Sequence, residues 1–492
     1  MKKQSFVWGA MILMIANAVS KILGATFKIP LTYILQEEGM AIYNSAFQIY
    51  ALFLSFVISG IPFAVAKLTS EYSANGDKEK IASVKNCGMV MLFLLGVAGT
   101  ALLYAGAEFF AIAMKEESAV FAIRMLSPSV LFVALSCVYK NYFQGRGNMI
   151  PTAVSQVTEA LVRLVAGYAL AITFAGFGKV AASGGASLGV SIGEVISFLI
   201  MLVFFRLLSK DLPKSRCHKE IAKEIVTIAF PLLIASVLSA LFSVVDTSML
   251  RKRLIEFGNT IKEARFLYGA YTGYALTVFH LPVGILATFG VSVLPVMAGA
   301  LASGNIKKAQ STAALAVKIN VILSIPCAIG IYFLSDLLLD VLFHNTASAD
   351  MLSMLAPCVI FLCVAQICSS MLNSAGKIML SFSLGAISML IKIAVSYFLV
   401  GEMNIYGAIV AADVAYFIDM IISLIAIKVV IGPKLDIKEI LLKPLISGAI
   451  MAIVILFIKE PVCSYLQSSF LQLGVIGVAA VICYLLSLLL FG

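Results

Sequence analysis

The sequence predicts an all-α polytopic membrane protein with about fourteen transmembrane helices: two six-helix lobes related by a parallel repeat, and two C-terminal helices. Composition, the number of long apolar segments and a weak internal repeat support this fold class. Apolar residues make up 61% of the chain and charged residues 12%, whereas soluble domains carry about 25% charged residues. This leaves too little polar surface for a soluble enzyme, a disordered chain or a nucleic-acid-binding domain.

Fourteen segments approach the roughly 20 apolar residues that a membrane-crossing helix requires. In chain order they cover residues 6–27, 41–66, 86–107, 119–139, 150–174, 184–205, 225–250, 267–298, 312–335, 352–372, 378–400, 405–427, 444–458 and 468–491. The N-terminal stretch also has the basic and apolar regions of a signal peptide. Because thirteen further spans follow it, we interpret it as the first transmembrane helix.

The basic residues predict the topology. When the fourteen spans are threaded through a bilayer, 21 of the 35 Lys and Arg residues fall on one side, eight on the other and six inside spans. Cytoplasmic loops are enriched in Lys and Arg, so both termini are predicted to be cytoplasmic. The net charge of +10 is therefore mainly a topology signal, and no nucleic-acid partner is predicted.

An internal repeat predicts the domain organisation. Residues of the first half recur 229 positions further along the chain, pairing Gly147, Arg163, Tyr168 and Leu170 with Gly376, Lys392, Tyr397 and Leu399. Six spans per half give both halves the same direction, which is typical of parallel repeats about an axis along the membrane normal. The predicted units are an N-terminal lobe (1–210), a C-terminal lobe (220–430) and an appended helix pair (440–492).

Catalytic motifs are missing from the sequence. It contains no HExxH, GxxxxGK[ST] or GxSxG pattern, so no enzyme, metal site or cofactor is predicted. Three cysteines at intervals of five residues (Cys358, Cys363 and Cys368) point in different directions on a helix and are interpreted as small apolar residues. Glycines at every fourth position (Gly185, Gly189 and Gly193) predict a close helix–helix contact.

Ionisable residues inside the spans are the first functional candidates, because each costs about 2.5–3.5 kcal/mol to insert and usually faces a cavity or a partner. Asn17, Lys21 and Lys28 share one face of the first span, which predicts a cationic cavity wall. Snorkelling of Lys28 to the membrane surface is the alternative. In the second span, Asn44 and Gln48 suit either a sugar-binding surface or interhelical hydrogen bonds.

The charged residues in later spans also allow two interpretations each. Arg163 either faces the cavity or is neutralised by Glu159 one turn away. Lys392 lacks such a neighbour, and Asp246 and Asp413 are its predicted partners. Together these three form a predicted ion-coupling group for Na⁺ or H⁺, or else a structural contact.

The basic segment 251–266, on the predicted outer side, also has two interpretations. It forms an amphipathic helix at the membrane surface, or its arginines Arg251 and Arg253 surround an outer gate and attract an anionic headgroup.

Three segments carry a family resemblance: SKILGATFKIPLTYIL (Ser20–Leu35), YNSAFQIYALFLSFVISGIPFAVAKLTSEY (Tyr43–Tyr72) and YFQGRGNMIPTAVSQVTEALVR (Tyr142–Arg163). They resemble the multidrug/oligosaccharidyl-lipid/polysaccharide exporter superfamily, in particular polysaccharide-biosynthesis flippases of the stage V sporulation protein B type, which are related to lipid II flippases. The resemblance implies two lobes around a central cavity and alternating access. It also implies transport of an undecaprenyl-pyrophosphate-linked oligosaccharide, with membrane lipid and envelope-synthesis enzymes as partners.

The sequence departs from the lipid II flippases at several site positions. Phe27-Lys28 stands where those flippases have Arg-Asp, Gln48 stands where they have a cation, and Lys21 replaces an arginine and its bidentate fork. Asp246 matches a sodium-site aspartate of that family. We hypothesise that the Lys392 ammonium group takes the place of bound sodium.

Two alternative functions remain open at this point. One is an ion-coupled antiporter of organic cations on the same fold, which requires an acidic cavity. The other is a non-transporting membrane scaffold in envelope or spore-coat assembly, in which the charges within the spans have no transport role.

Overall fold

The structure is a computed structural model that describes residues 6–490 except 210, 211, 214, 303 and 437. Helices account for nearly all of this part of the chain, and no strand occurs among the residues described. The predicted all-α fold class is confirmed.

The first unit of the chain contains the helices α1 Phe6–Ile58, α2 Gly60–Ala74, α3 Lys78–Ala105, α4 Ala107–Ala113, α5 Val120–Gly145, α6 Ile150–Ala175, α7 Lys179–Leu208 and most of α8 Lys219–Glu256. The second contains α9 Ile261–Ala270, α10 Leu276–Ala302, α11 Ile306–Phe343, α12 Ala349–Met354, α13 Ala356–Ser374, α14 Ile378–Met403, α15 Ile405–Val430, α16 Lys443–Tyr465 and α17 Ser469–Leu490. A 3₁₀ turn, Glu117–Ala119, precedes α5, and π-helical turns precede α10 and α16.

Helix α1 is too long for one membrane crossing. Its 53 residues would measure about 80 Å at 1.5 Å per residue, against about 30 Å of hydrocarbon. The helix breaks at Gln36, whose φ of 55° and ψ of −169° are not helical. Such a φ is uncommon outside glycine, so the break is a defined local feature. The two parts of α1 correspond to the first two predicted spans.

The number of spans agrees with the prediction. In the described part of the chain, thirteen helical segments are long and apolar enough to cross a membrane. The first of them, Met11–Ser73, contains the break at Gln36, so its two parts count separately and the total becomes fourteen. The predicted span 444–458 is longer in the structure, where α16 runs from Lys443 to Tyr465.

The first compact unit comprises residues Met1–Arg251. One of its core clusters includes Ile49, Leu68, Leu126 and Val138, which are nearly inaccessible to solvent. The beginning of α8 packs on the same cluster through Ile225. This unit therefore buries the N-terminal part of α8, although the sequence divides the chain near residue 215.

Polar contacts also connect the start of α8 and the segment before it to the first unit. The Tyr72 hydroxyl donates to the Glu224 carboxylate at 2.9 Å, the Asn86 amide donates to the Ser215 carbonyl at 2.5 Å, and Cys87 pairs with Cys217 in a disulfide. These contacts and the apolar packing explain why α8 up to Arg251 belongs to the first compact unit. The predicted domain limits of 1–210, 220–430 and 440–492 stay a prediction.

The second unit comprises residues Lys252–Gly492, and its core includes Val317, Met371, Ile455 and Tyr484. The C-terminal pair α16 and α17 packs on α11. Ion pairs reinforce this contact, with Lys459 Nζ 2.9 Å from Asp336 Oδ2 and Lys318 Nζ 2.6 Å from Glu439 Oε2. Tyr484 Oη donates to the Ile322 carbonyl at 2.8 Å.

A buried ion pair connects the end of α8 to the rest of the first unit. Arg251 Nη1 lies 3.2 Å from Glu116 Oε2, and the two side chains are 3% and 1% exposed. The same guanidinium donates to the carbonyls of Met114 and Ala41 at 3.2 and 3.1 Å. Arg251 therefore joins three segments of this unit: α8, the connection between α4 and α5, and the second part of α1.

Helices α6 and α7 pack at very short range because of the predicted glycine face. A Cβ atom added to Gly189 would collide with the backbone of Gly167, and one added to Gly185 would lie 2.7 Å from the Leu170 carbonyl oxygen. At Gly193 the added atom would lie 3.1 Å from the Glu159 carbonyl oxygen. The prediction of a close helix–helix contact at these glycines is confirmed.

Replacing Arg251 by methionine is expected to destabilise the protein strongly. The substitution leaves Glu116 buried without its arginine, and breaking a buried pair costs about 3–5 kcal/mol. The midpoint of thermal unfolding of the purified protein in detergent measures the effect. Arg124→Met is the matched control, because Arg124 pairs with Glu108 at 2.9 Å on a more exposed surface and such pairs are worth about 0–1 kcal/mol. Equal losses in the two variants would contradict the assignment.

Gly189→Ala is expected to lower stability because its Cβ enters the space of Gly167. Overpacking of this kind costs about 1–3 kcal/mol. Gly176→Ala serves as the control, since an added Cβ there meets nothing within 4 Å. Unfolding in a denaturant series measures both, and a fully stable Gly189→Ala protein would argue against the close α6–α7 contact.

Candidate functional site

The first unit contains a cluster of four charged side chains on three neighbouring helices. Lys140 lies on α5, Glu159 and Arg163 lie on α6, and Glu194 lies on α7. Their side chains are 13%, 16%, 25% and 8% exposed, respectively. The glycine contact between α6 and α7 brings these charges together, because Gly193 lies against the backbone of Glu159 and precedes Glu194.

Glu159 is the centre of the charged cluster. Its Oε2 lies 3.3 Å from Lys140 Nζ and its Oε1 lies 2.9 Å from Arg163 Nη2. Arg163 Nη2 is also 3.7 Å from Glu194 Oε1. The Ser197 hydroxyl donates to Glu159 Oε2 at 3.4 Å. Two cations thus balance two carboxylates, as expected for charges held within a membrane span.

The cluster extends from near a helix end to the middle of a span. Lys140 lies five residues before Gly145 at the end of α5, which is about 8 Å along the helix. Arg163 lies thirteen residues after Ile150 at the start of α6, or about 20 Å. Because a short turn joins α5 to α6, both distances are measured from the same side of the membrane.

The other predicted cavity residues lie on α1. Lys21 is exposed, whereas Asn17 and Lys28 are half-buried in the first part of the helix. This part packs on α6, where the Phe27 ring fills the space beside Gly167. Asn44 and Gln48 are half-buried in the second part of α1.

Aromatic rings surround these two amides along the second part of α1. Tyr43 stacks on Phe47 with centroids 6.1 Å apart, and Phe47 meets Tyr50 edge-on at 5.5 Å. Tyr43 and Tyr50 are buried, whereas Asn44 and Gln48 keep part of their surface accessible. The amides are therefore the accessible polar groups of this stretch.

One of the predicted ion-coupling residues, Asp413, contacts a cysteine in the second unit. The Cys358 thiol on α13 donates to Asp413 Oδ1 on α15 at 2.9 Å, and Lys392 on α14 acts electrostatically on the same thiol. Asp246, the third residue, is half-buried on α8 in the first unit. Cys358 has a polar partner as well as its expected apolar environment.

The arginines of the predicted outer loop belong to the end of helix α8. Arg251 forms the buried pair with Glu116. Arg253 donates from Nε to the Tyr397 carbonyl at 2.7 Å and stacks over the Tyr397 ring at 4.6 Å. After a turn, Thr260 begins α9 with a capping box. The gate role of both arginines stays a prediction.

The sequence revealed only part of the charged cluster. Arg163 and Glu159 are one helical turn apart and their pairing was one of the predicted alternatives, which the structure confirms. No local pattern identifies Lys140 as a member of the cluster, because its partner lies 19 positions away on another helix. Among the described residues, no group of three or more His, Cys, Asp or Glu side chains is arranged to hold a metal ion.

Comparison with known proteins identifies the family. The model of the family described as "Polysaccharide biosynthesis protein" matches residues 6–301, more than half of the chain, and the MatE model matches residues 270–398. The lipid II flippase MurJ of Bacillus subtilis (strain 168) is 26% identical over 481 residues, covering 92% of this chain and 88% of the relative. Stage V sporulation protein B of the same organism is 25% identical over 457 residues, covering 89% and 86%.

Solved structures show the same fold. An inward closed conformation of lipid II flippase MurJ superimposes with a TM-score of 0.73 at 20% identity, covering 98% of both chains. An inward-facing multidrug resistance MATE transporter superimposes with a TM-score of 0.67 at 15% identity, covering 86% of this chain and 98% of the transporter.

The helices, the charges within the spans and the family match agree on one class of protein. The predicted resemblance is confirmed, and the relatives are flippases and transporters rather than enzymes. The chain is a multi-pass membrane protein that belongs to the polysaccharide biosynthesis protein family.

Proposed function

We propose that the protein moves an undecaprenyl-pyrophosphate-linked cell-wall or polysaccharide precursor across the bacterial plasma membrane by alternating access. The observation that carries the proposal is the similarity to a lipid II flippase over 92% of the chain, in a family of polysaccharide biosynthesis proteins. A lipid-linked oligosaccharide and membrane lipid are then its partners, together with the enzymes that make or use the precursor.

The charges on α1 and α6 support an anionic substrate. A pyrophosphate that crosses a region of low dielectric constant requires fixed positive charge. Lys21 and Lys28 on α1 and Arg163 on α6 supply such charges on two helices that pack together. Lysine contacts an anion as a point charge rather than through a bidentate fork, so these lysines suit headgroups of varied geometry. The amides of Asn17, Asn44 and Gln48 suit the hydroxyl groups of a sugar.

Asp246, Lys392 and Asp413 are the proposed ion-coupling residues. Lys392 acts electrostatically on Cys358, which contacts Asp413. In this proposal its ammonium group replaces a bound sodium ion, so that transport by the unmodified protein does not require sodium. Arg253 at the end of α8 is proposed to attract the headgroup at the outer side, whereas Arg251, buried against Glu116, is proposed to hold the end of α8 in place there. Both chain termini are proposed to lie in the cytoplasm.

A second candidate function is the export of organic cations. The MatE family match at residues 270–398 favours it. An organic cation requires a site with excess negative charge, whereas Lys21, Lys28 and the neutral four-charge cluster provide none in the first unit. Uptake of a fluorescent organic cation into vesicles that contain the purified protein distinguishes the two candidates.

Removal of both α1 lysines is expected to abolish flipping. In cells depleted of their own flippases, the protein should restore delivery of a lipid-linked wall precursor to the outer leaflet. The Lys21→Ala/Lys28→Ala variant should reduce the rate by about a hundredfold or more, since each of the two charged contacts contributes about 1.5–3 kcal/mol. Lys67→Ala/Lys80→Ala is the control, because both lysines are exposed and pair locally. Full delivery by the α1 double variant would refute the cationic wall, and no delivery by the unmodified protein would favour the antiporter or a scaffold.

Lys392→Ala is expected to make transport depend on sodium. The unmodified protein should move precursor equally well in Na⁺ and in K⁺, because the ammonium group already supplies the charge. The variant should work in Na⁺ only or lose transport in both salts. Lys377→Ala, an exposed position just before α14, should behave like the unmodified protein. Sodium-dependent transport that Asp246→Ala abolishes and Lys392→Ala leaves unchanged would contradict the hypothesis.

A further inference from the structure

Two carboxyl groups of the four-charge cluster share one guanidinium group. Glu159 on α6 and Glu194 on α7 both contact the Arg163 guanidinium, whose Nη2 lies 2.9 Å from Glu159 Oε1 and 3.7 Å from Glu194 Oε1. A carboxylate only accepts hydrogen bonds, so a hydrogen bond between two carboxyl groups requires a proton on one of them. Two carboxylates that share one buried site resist simultaneous ionisation unless cations balance them.

The charge balance of the cluster depends on Arg163. With both acids ionised, Lys140 and Arg163 make the cluster neutral. If the guanidinium turns to an external anion, Lys140 alone faces two carboxylates and the cluster carries one uncompensated negative charge. Uptake of one proton by the carboxyl pair restores neutrality. Engagement of an anion by Arg163 and proton uptake by the pair therefore favour one another.

Arg163 is the member of the cluster best placed to change partners. It is the most exposed of the four, with 25% of its side chain accessible, whereas Glu194 is 8% exposed. Its Nε atom is buried and has no hydrogen-bond partner among the described residues. Gln156 lies two turns earlier on α6, and its Oε1 atom is buried without a partner in the same part of the chain. A ligand that reaches Arg163 can therefore form hydrogen bonds with the Arg163 Nε and Gln156 Oε1 atoms.

The other titratable groups near the carboxyl pair come from α1 and α5. Those acting electrostatically on the cluster are Tyr43 and Tyr50 on α1, Cys137 and Lys140 on α5, and Arg163 on α6. Phenols and thiols are neutral near pH 7 under ordinary conditions. We therefore assign the proton that is taken up to the carboxyl pair of Glu159 and Glu194. In this assignment Lys140 stays in place and Arg163 changes partners.

Hydroxyl groups continue the polar contacts from the carboxyl pair. Ser197 Oγ lies 3.4 Å from Glu159 Oε2, and Ser155 Oγ lies 2.7 Å from Ser197 Oγ. Ser155 is five residues into α6, on the side of the membrane where α5 ends. This is the predicted cytoplasmic side, so the hydroxyls and Lys140 form a polar route between that surface and the pair.

We propose that the Glu159–Glu194 carboxyl pair takes up a proton when Arg163 engages the pyrophosphate of the substrate, so that substrate binding is coupled to proton binding in the first unit. This inference rests on the proposed function, because it requires an anionic substrate. It assigns a coupling role to residues of α6 and α7, apart from Asp246, Lys392 and Asp413.

Binding of a lipid pyrophosphate with direct counting of protons tests the proposal. Geranylgeranyl pyrophosphate is titrated into the full-length protein in phosphatidylcholine nanodiscs, in calorimetry buffers of different ionisation enthalpy. The unmodified protein should take up about one proton more per probe than Glu194→Gln, and its affinity should fall about tenfold more per pH unit where the pair is ionised. The ionisation of the probe is common to both proteins and cancels in this difference.

Matched variants assign the effect to the carboxyl pair. Glu194→Asp keeps a carboxyl group and should retain proton uptake, as should Glu108→Gln, which removes an exposed acid. Arg163→Gln should weaken binding and abolish the uptake. Infrared difference spectra of the unmodified protein should show a new protonated-carboxyl band when the probe binds, which tests the proposal even if Glu194→Gln fails to fold.

The outcomes separate the two proposals. No probe binding by the unmodified protein would overturn the proposed function and this inference with it. Probe binding with equal proton uptake in the unmodified protein and Glu194→Gln, or without a new carboxyl band, would overturn the coupling alone and leave the proposed function standing.

Discussion

The close contact between α6 and α7 is the constraint on which the candidate site depends. Glycines at every fourth position of α7 allow its backbone to approach that of α6, and only at this distance can Glu194 share Arg163 with Glu159. A bulkier helix face would separate the acids and leave charges unpaired within the span, which is energetically costly. The glycines of α7 therefore allow both the close packing of the two helices and the pairing of the charges between them.

Charges in this protein fall into two groups with different physical roles. Most Lys and Arg residues lie at helix ends and in loops, as is typical of residues that set the topology of a membrane protein. A smaller group lies within spans, and its best-defined members form specific pairs: Arg251 with Glu116, and Lys140 and Arg163 with Glu159. The Arg251 pair is almost inaccessible and suits a structural or gating contact. The Arg163 cluster keeps an accessible cation, which is what recognition of an anionic headgroup requires.

The sequence predicted those features that depend on local pattern. The length of the apolar segments predicted the spans, and the glycine spacing predicted the α6–α7 contact. The four-residue interval predicted the Glu159–Arg163 pair as one of two alternatives. Contacts between distant segments could not be derived in this way. Glu116 lies 135 positions before Arg251, and no local pattern connects them. The spans 6–27 and 41–66 predict a break between them, but its position at Gln36 does not follow from the sequence, because glutamine carries no preference for the positive φ it adopts there.

The central claim is that the protein moves an anionic lipid across the bilayer and uses Arg163 to hold its pyrophosphate. The most direct test is the rate at which a headgroup-labelled undecaprenyl-pyrophosphate sugar crosses vesicles that contain the purified protein, measured by quenching of the label from outside. The account predicts rapid crossing with the unmodified protein and a rate near that of empty vesicles with Arg163→Gln. Equal rates for the two proteins, or no crossing with either, would contradict it.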